Sequence, residues 1–81
     1  MRLQKAIQTR ILQLCQERKW SVNKLAERSG ISPSTLRRTV KPYASINNTT
    51  TGLILKICQG LEIPFKDFWD SPLFEDLEEE P

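Results

Sequence analysis

Two adjacent arginines, Arg37 and Arg38, are the residues of this 81-residue chain whose chemistry is easiest to interpret. A guanidinium group carries five N–H donors in a planar fork, so it can pair with the oxygens of a phosphate or with the two acceptors on the edge of guanine. Pro33, Ser34 and Thr35 stand just before the pair and add an apolar surface and two hydroxyl groups. This combination predicts binding through hydrogen bonds to an anion or a base.

The charge of the chain is divided unevenly between its two halves. Residues 1–41 contain ten Lys/Arg and two Asp/Glu, a net of +8, whereas residues 42–81 contain two Lys and eight Asp/Glu, a net of −6. This asymmetry favours an anion-binding half followed by an acidic tail, although both halves could simply be solvated surface. Arg10, Arg18 and Lys19 would then add general attraction or pair with the tail.

The elements that position the arginines are encoded in residues 21–41, SVNKLAERSGISPSTLRRTVK. Ser21 can cap a first short helix, because its hydroxyl can accept a hydrogen bond from an unpaired amide of the first turn. Gly30 falls where that helix should end, since glycine tolerates the left-handed backbone of a helix terminus. Ser32 is a second cap candidate, and Pro33 suits the first position of the next helix. The pattern predicts a bent pair of helices.

Three apolar positions should hold this pair together. We expect Leu25, Ala26 and Leu36 to face inward, and Ala26 to be small because a larger side chain would push the helices apart. Ala26, Gly30 and Leu36 fall at the spacing of the helix-turn-helix of the phage repressor/Cro-like (XRE-type) family of DNA-binding proteins, which the stretch resembles. Residues 53–61 and 62–69 resemble the fourth and fifth helices of that family. The resemblance covers roughly residues 7–69.

The resemblance implies an all-α fold, a compact lambda-repressor-like bundle of five short helices. Apolar residues at three- and four-residue steps predict helix one over residues 2–19, with Leu3, Ile7, Ile11, Leu14 and Cys15 on its buried face and Gln8 on the polar face. We expect helix three at 33–40 and helix four from a cap at Asn48 or Thr49 to about Gly60, where glycine indicates a close helix contact. Residues 1–70 would form the domain and 71–81 an acidic tail. Leu73, Phe74 and Leu77 could form a sixth helix, or the tail could be disordered.

The resemblance also implies which residues meet DNA. Positions one, two and six of helix three are frequent base readers in the family and correspond to Pro33, Ser34 and Arg38; Arg37 lies one step round the helix and could read a base or grip a phosphate. Proline offers only apolar contact, for example with a thymine methyl. The connection after helix three is longer than is usual in the family. The phosphate candidates are Lys24, Thr35, Lys41, Tyr43, Asn47 and Asn48.

These residues together predict a sequence-specific regulator of transcription that binds double-stranded DNA, and we expect a repressor. One small domain covers one half-site, so we expect a homodimer. The candidate dimer surface is Trp69, Leu73 and Phe74, unless these residues pack on their own core. The alternative function is a protein-interaction module, such as an antitoxin-like or antirepressor-binding protein that holds its partner with the Phe/Trp-rich end.

Other functional classes find little support in the composition. The chain has no histidine and no CxxC pair, and Cys15 and Cys58 fall at core-facing helical positions, so we expect no metal, no cofactor and no disulfide. Nucleophile elbows, phosphate-cradling glycine loops and paired catalytic carboxylates are also missing, which argues against an enzyme. No apolar run of about 20 residues and no signal-peptide pattern is found, so we expect a cytoplasmic protein without membrane contact.

Overall fold

The computed structural model describes residues 2–40, 51–75 and 77. Within these residues the chain forms α-helices and no strand, as the sequence predicts. The five α-helices are α1 (Leu3–Arg18), α2 (Val22–Ser29), α3 (Pro33–Val40), α4 (Thr51–Leu61) and α5 (Phe65–Trp69), followed by a 3-10 turn at Pro72–Phe74.

The first helix agrees with the predicted range to within one residue at each end, but its buried face differs from the prediction. Ile7, Ile11 and Leu14 are buried as expected, whereas Leu3 is 38% exposed because it is the first residue of α1. Gln8, predicted on the polar face, is only 5% exposed. Its position three residues before Ile11 places it at the edge of the apolar stripe, where a neighbouring helix can cover it.

The core is formed by side chains from all five helices. Phe68 of α5 is completely buried, and it belongs to one apolar cluster with buried side chains of the other four helices. Pro64 precedes α5 without a side-chain cap, as expected for a residue that has no hydrogen-bonding side chain. The other buried core residues are Ile7, Ile11, Leu14, Cys15, Leu25, Ala26, Ile31, Leu36, Ile54, Ile57, Cys58 and Leu61.

Helices α2 and α4 approach each other closely at Gly60. A Cβ atom built on Gly60 would lie 2.9 Å from both the backbone nitrogen and the Cα of Ser29, and it would also collide with the Ser29 hydroxyl. The predicted close contact at this glycine is therefore confirmed. The Ser29 hydroxyl is buried at the contact and makes no hydrogen bond with any described residue. Any side chain at position 60 would have to separate the two helices.

Two arginines of α1 bind the carboxyl ends of the later helices. Arg10 donates from Nε to the carbonyl of Phe68 and from Nη2 to the carbonyl of Asp67, both at 2.7 Å, and Arg18 donates to the carbonyl of Leu61 at 2.9 Å. These carbonyls carry the negative end of the helix dipole, so a cation is favoured there. Sequence reasoning missed these hydrogen bonds, and the expectation that Arg10 and Arg18 supply general attraction or pair with the tail stays a prediction.

We expect Arg10→Met to lower the free energy of unfolding by about 2 kcal/mol, because two hydrogen bonds from a charged donor are lost while the apolar stem is kept. Urea denaturation followed by circular dichroism measures this loss. Lys5→Met is the matched control, since Lys5 is an exposed cation on the same helix. Equal stability of the two variants would contradict a capping role for Arg10.

The described part of the tail begins with Ser71 and Pro72, which start a single 3-10 turn and not the possible sixth helix. The Ser71 hydroxyl accepts a hydrogen bond from the amide of Leu73 at 3.3 Å, and the turn ends at Phe74. Phe74 packs against Phe68 and Trp69, with ring centroids 6.0 and 5.0 Å away. These contacts hold the turn against the bundle.

No helix in the described part of the chain is long and apolar enough to cross a membrane.

Candidate nucleic-acid interface

The turn between α2 and α3 is built by the residues that the sequence singles out. The Ser21 hydroxyl accepts a hydrogen bond from the amide of Lys24 at 3.1 Å, so the predicted cap of α2 is confirmed. Gly30 has φ +67°, and the next amide, that of Ile31, donates to the carbonyl of Ala26 at 3.0 Å. A Cβ at Gly30 would meet no atom within 4 Å, so the left-handed backbone, and not lack of space, favours glycine.

The second helix of the pair is held by its apolar side and presents its polar side to solvent. Leu36 is fully buried, as are Leu25 and Ala26 of α2, in agreement with the predicted inward positions. Thr39 is buried one turn further along α3. The exposed residues of α3 are Pro33, Ser34, Thr35, Arg37 and Arg38. All four predicted base readers are therefore accessible on one eight-residue helix.

The start of α3 contains a hydroxyl pair. The Oγ atoms of Ser32 and Ser34 lie 3.0 Å apart, so one hydroxyl donates to the other. Ser34 keeps further donor or acceptor capacity, because a hydroxyl has one donor and two acceptor positions. Pro33 stands between them at the first position of the helix. The exposed start of α3 therefore offers one polar group and one apolar surface.

The carboxyl-terminal half of α3 is fixed to α1 by a buried hydrogen bond that sequence reasoning missed. Gln8 donates from Nε2 to the carbonyl of Thr39 at 3.1 Å, and the Thr39 hydroxyl donates to the carbonyl of Thr35 at 2.9 Å. Both side chains are 5% exposed, so solvent cannot readily replace these bonds. The exposed arginines between Thr35 and Thr39 are thus carried on a backbone anchored to the core.

The two arginines differ in their surroundings. Arg37 donates from Nη1 to Oδ1 of Asn23 at 3.0 Å, which links α3 to the first turn of α2. Arg38 makes no hydrogen bond or ion pair with any described residue. Sequence reasoning missed Asn23, because a pair separated by 14 residues depends on the angle between two helices. The side chain of Arg38 is therefore exposed without a partner in the described part of the chain, while Arg37 is oriented by Asn23.

Two of the predicted phosphate contacts can be placed. Lys24 is half-buried in the first turn of α2, and Thr35 is exposed on α3. The amide of Lys24 is used by the Ser21 cap, which leaves its ammonium group for a ligand. The remaining phosphate candidates lie outside the described residues; they are Lys41, Tyr43, Asn47 and Asn48. The two cap candidates of helix four, Asn48 and Thr49, lie outside them as well.

The predicted dimer residues include two members of an aromatic cluster within residues 65–74, near the carboxyl end of the described chain. Trp69 stands edge-on to Phe68 with the ring centroids 5.0 Å apart, and Phe74 lies 5.0 Å from Trp69. Trp69, Leu73 and Phe74 are half-buried, and Trp69 and Phe74 pack against the core of their own chain. Phe65 is 38% exposed and extends the cluster at 6.0 Å from Trp69. The dimer surface stays a prediction.

Cys15 and Cys58 are free and buried. Burial raises the pKa of the Cys15 thiol, with a smaller opposing effect of Arg18, and burial likewise raises the pKa of Cys58. Both groups are therefore neutral thiols at neutral pH, as expected for small apolar core residues. Among the residues that the structure describes, no group of three or more His, Cys, Asp or Glu is arranged to hold a metal ion.

A capped helix, a glycine turn and a second helix that displays hydrogen-bonding side chains together define a helix-turn-helix DNA-binding domain. Residues 10–70 match the model of the Cro/C1-type HTH DNA-binding domain, and the chain belongs to this family. The resemblance to the phage repressor/Cro-like family is confirmed.

The chain is also similar to a curated relative, the HTH-type transcriptional regulator SutR of Escherichia coli (strain K12). The two are 34% identical over 70 residues. The aligned region covers 86% of this chain and 38% of the length of SutR. No solved structure gives a significant match.

Proposed function

We propose that this chain is a sequence-specific transcriptional regulator that inserts α3 into the major groove of double-stranded DNA and acts as a repressor. The observation that carries the proposal is the accessible polar side of α3, where Pro33, Ser34, Arg37 and Arg38 are all exposed beside the α2 terminus. The major groove is about 12 Å wide and admits one α-helix. The similarity to SutR, an HTH-type transcriptional regulator, supports the same function.

Each exposed side chain has a contact that its chemistry favours. Arg38 can donate to both acceptors of a guanine, which discriminates against other bases by about 1–3 kcal/mol. Ser34 can donate or accept and therefore discriminates weakly, and Pro33 can touch a thymine methyl group. Lys24 and the free amides at the start of α2 can bind a phosphate, which fixes the orientation of α3 in the groove.

The size of the domain supports the proposed dimer and its action as a repressor. Its longest dimension is 34 Å, which corresponds to about ten base pairs at ~3.4 Å each. A bound copy would therefore cover one half-site, and two copies spaced one helical turn apart would block a promoter to other proteins. We place the contact between the copies at the accessible edges of Trp69, Leu73 and Phe74.

Selection of bound sequences from random duplex DNA tests the proposal. We expect an enriched palindrome whose half-sites lie about 10 base pairs apart, centre to centre. If the dimer neutralises about six phosphates, affinity for the selected site should fall about 10³-fold between 50 and 200 mM salt. Fluorescence anisotropy measures this dependence, and light scattering with the selected duplex gives the number of bound chains.

Two outcomes would contradict parts of the proposal. If no sequence is enriched, the chain is not a sequence-specific regulator, and if it binds no duplex even at low salt, the alternative of a protein-interaction module is favoured. If a single half-site is enriched and light scattering finds one chain on the DNA, the regulator acts as a monomer and the predicted dimer surface is wrong.

A further inference from the structure

A hydrogen bond between Arg37 and Asn23 lies on the exposed side of the helix pair, and the proposed function gives it no role. The bond joins the middle of α3 to the first turn of α2 at 3.0 Å, and both side chains are exposed. An exposed bond of this kind adds little to stability, because water can replace either partner. Its effect therefore lies in the direction that it gives to the guanidinium group.

We propose that Asn23 is a positioning residue that orients Arg37 towards one guanine and so sets the base preference of the domain at that position. This inference rests on the proposed function and deepens it. With Nη1 bound to Asn23, the Nε and Nη2 donors of Arg37 have no acceptor among residues 2–40, 51–75 and 77. These two donors lie along one edge of the planar fork and match the O6 and N7 acceptors of guanine.

The chemistry of asparagine suits this role better than that of a carboxylate. The amide oxygen accepts a hydrogen bond without a formal charge, so the pair keeps the full positive charge of Arg37. Aspartate at position 23 would also accept the bond, but it would neutralise the arginine and repel the phosphates beside the start of α2. Substitutions at position 23 can therefore separate the effect of orienting Arg37 from the effect of its positive charge.

Arg38 provides an internal comparison. It is the next residue on α3, it is equally exposed, and it has no partner among the described residues. Successive residues on a helix are about 100° apart, so the two arginines point to different parts of the groove. Removal of Asn23 should therefore alter the preference at the base pair that Arg37 meets and leave the one that Arg38 meets unchanged.

The test is selection from random duplex DNA followed by anisotropy measurements on matched duplexes that differ at single positions. We expect Asn23→Ala to reduce the preference for guanine at one base pair of each half-site by about three- to tenfold, with the other positions unchanged. Asn23→Asp should keep that preference while lowering the affinity for all sequences. Lys24→Ala, the neighbouring control, should weaken all sequences about equally.

A double-mutant cycle completes the experiment, because Asn23→Ala should have no further effect on base preference once Arg37 is replaced by alanine. The inference is wrong if Asn23→Ala leaves the preference at every position unchanged, or if it relaxes the same position equally with and without Arg37. Wild-type protein that enriches no sequence would instead contradict the proposed function, and the inference would fall with it. Circular dichroism should show the same fold in all variants, since Asn23 and Arg37 are exposed.

Discussion

Replacement of both Arg37 and Arg38 by alanine is expected to abolish sequence-specific DNA binding and leave the fold intact. Each arginine that pairs with a guanine contributes about 1–3 kcal/mol, so loss of both corresponds to a decrease of about 30- to 10⁴-fold per half-site. The fold should survive because α3 is anchored by Leu36 and Thr39, which are 0% and 5% exposed. Anisotropy with the selected duplex measures the loss, and thermal melting measures the fold.

The control for this variant removes the same charge elsewhere. Lys5→Ala combined with Lys66→Ala takes two exposed cations from α1 and α5, outside the helix pair. This control should weaken binding modestly and to a similar degree for all sequences, since it changes only the long-range field. If the double arginine variant binds the selected duplex as well as the control does, α3 does not read the DNA.

Gly60→Ala is expected to destabilise the domain by about 2–3 kcal/mol, even though alanine is the better helix former by up to about 1 kcal/mol. The added Cβ would lie 2.9 Å from two backbone atoms of Ser29, which cannot move without displacing α2. In a domain of this size, each kcal/mol shifts the melting temperature by about 4–8 °C. Differential scanning calorimetry measures the shift.

Because α2 is displaced in this variant, its DNA affinity should also fall, although no residue of the interface is altered. Gln59→Ala is the matched control, since Gln59 is the exposed neighbour of Gly60 on α4 and its truncation should change stability by less than about 0.5 kcal/mol. Unchanged melting of Gly60→Ala would show that α2 and α4 can separate without loss of packing.

Several features that were predicted correctly have local causes. Ser21 and Gly30 act through hydrogen bonds within four residues and through the backbone preference of one residue, so their effects can be read from the sequence. The apolar period of α1 similarly indicates which side of the helix is buried. Leu3, the first residue of α1, departs from that period and is 38% exposed.

The errors concern contacts between distant parts of the chain. Arg10 binds carbonyls 57 and 58 residues away, and Gln8 binds one 31 residues away. Nothing in the local pattern distinguishes these side chains from solvated ones, because their partners are defined only when the helices pack. The role of Asn23 was missed for the same reason, and the exposure of the arginines on α3 was predicted because it follows from the helical period alone.

Arg10 and Arg18 bind helix ends within the domain, so the formal charge of the chain overstates the number of cations that can contact DNA. Arg28 is engaged as well, since its guanidinium lies 5.8 Å from the centroid of the Trp20 ring. The number of counterions released from a duplex on binding reflects only the Lys and Arg side chains that contact phosphates. A titration with salt should therefore count clearly fewer ions per bound domain than the +8 of residues 1–41 would suggest. Arg10 and Arg18 carry part of that positive charge and use it to hold helices together. A polyanion that bound these two side chains would break their hydrogen bonds and destabilise the domain.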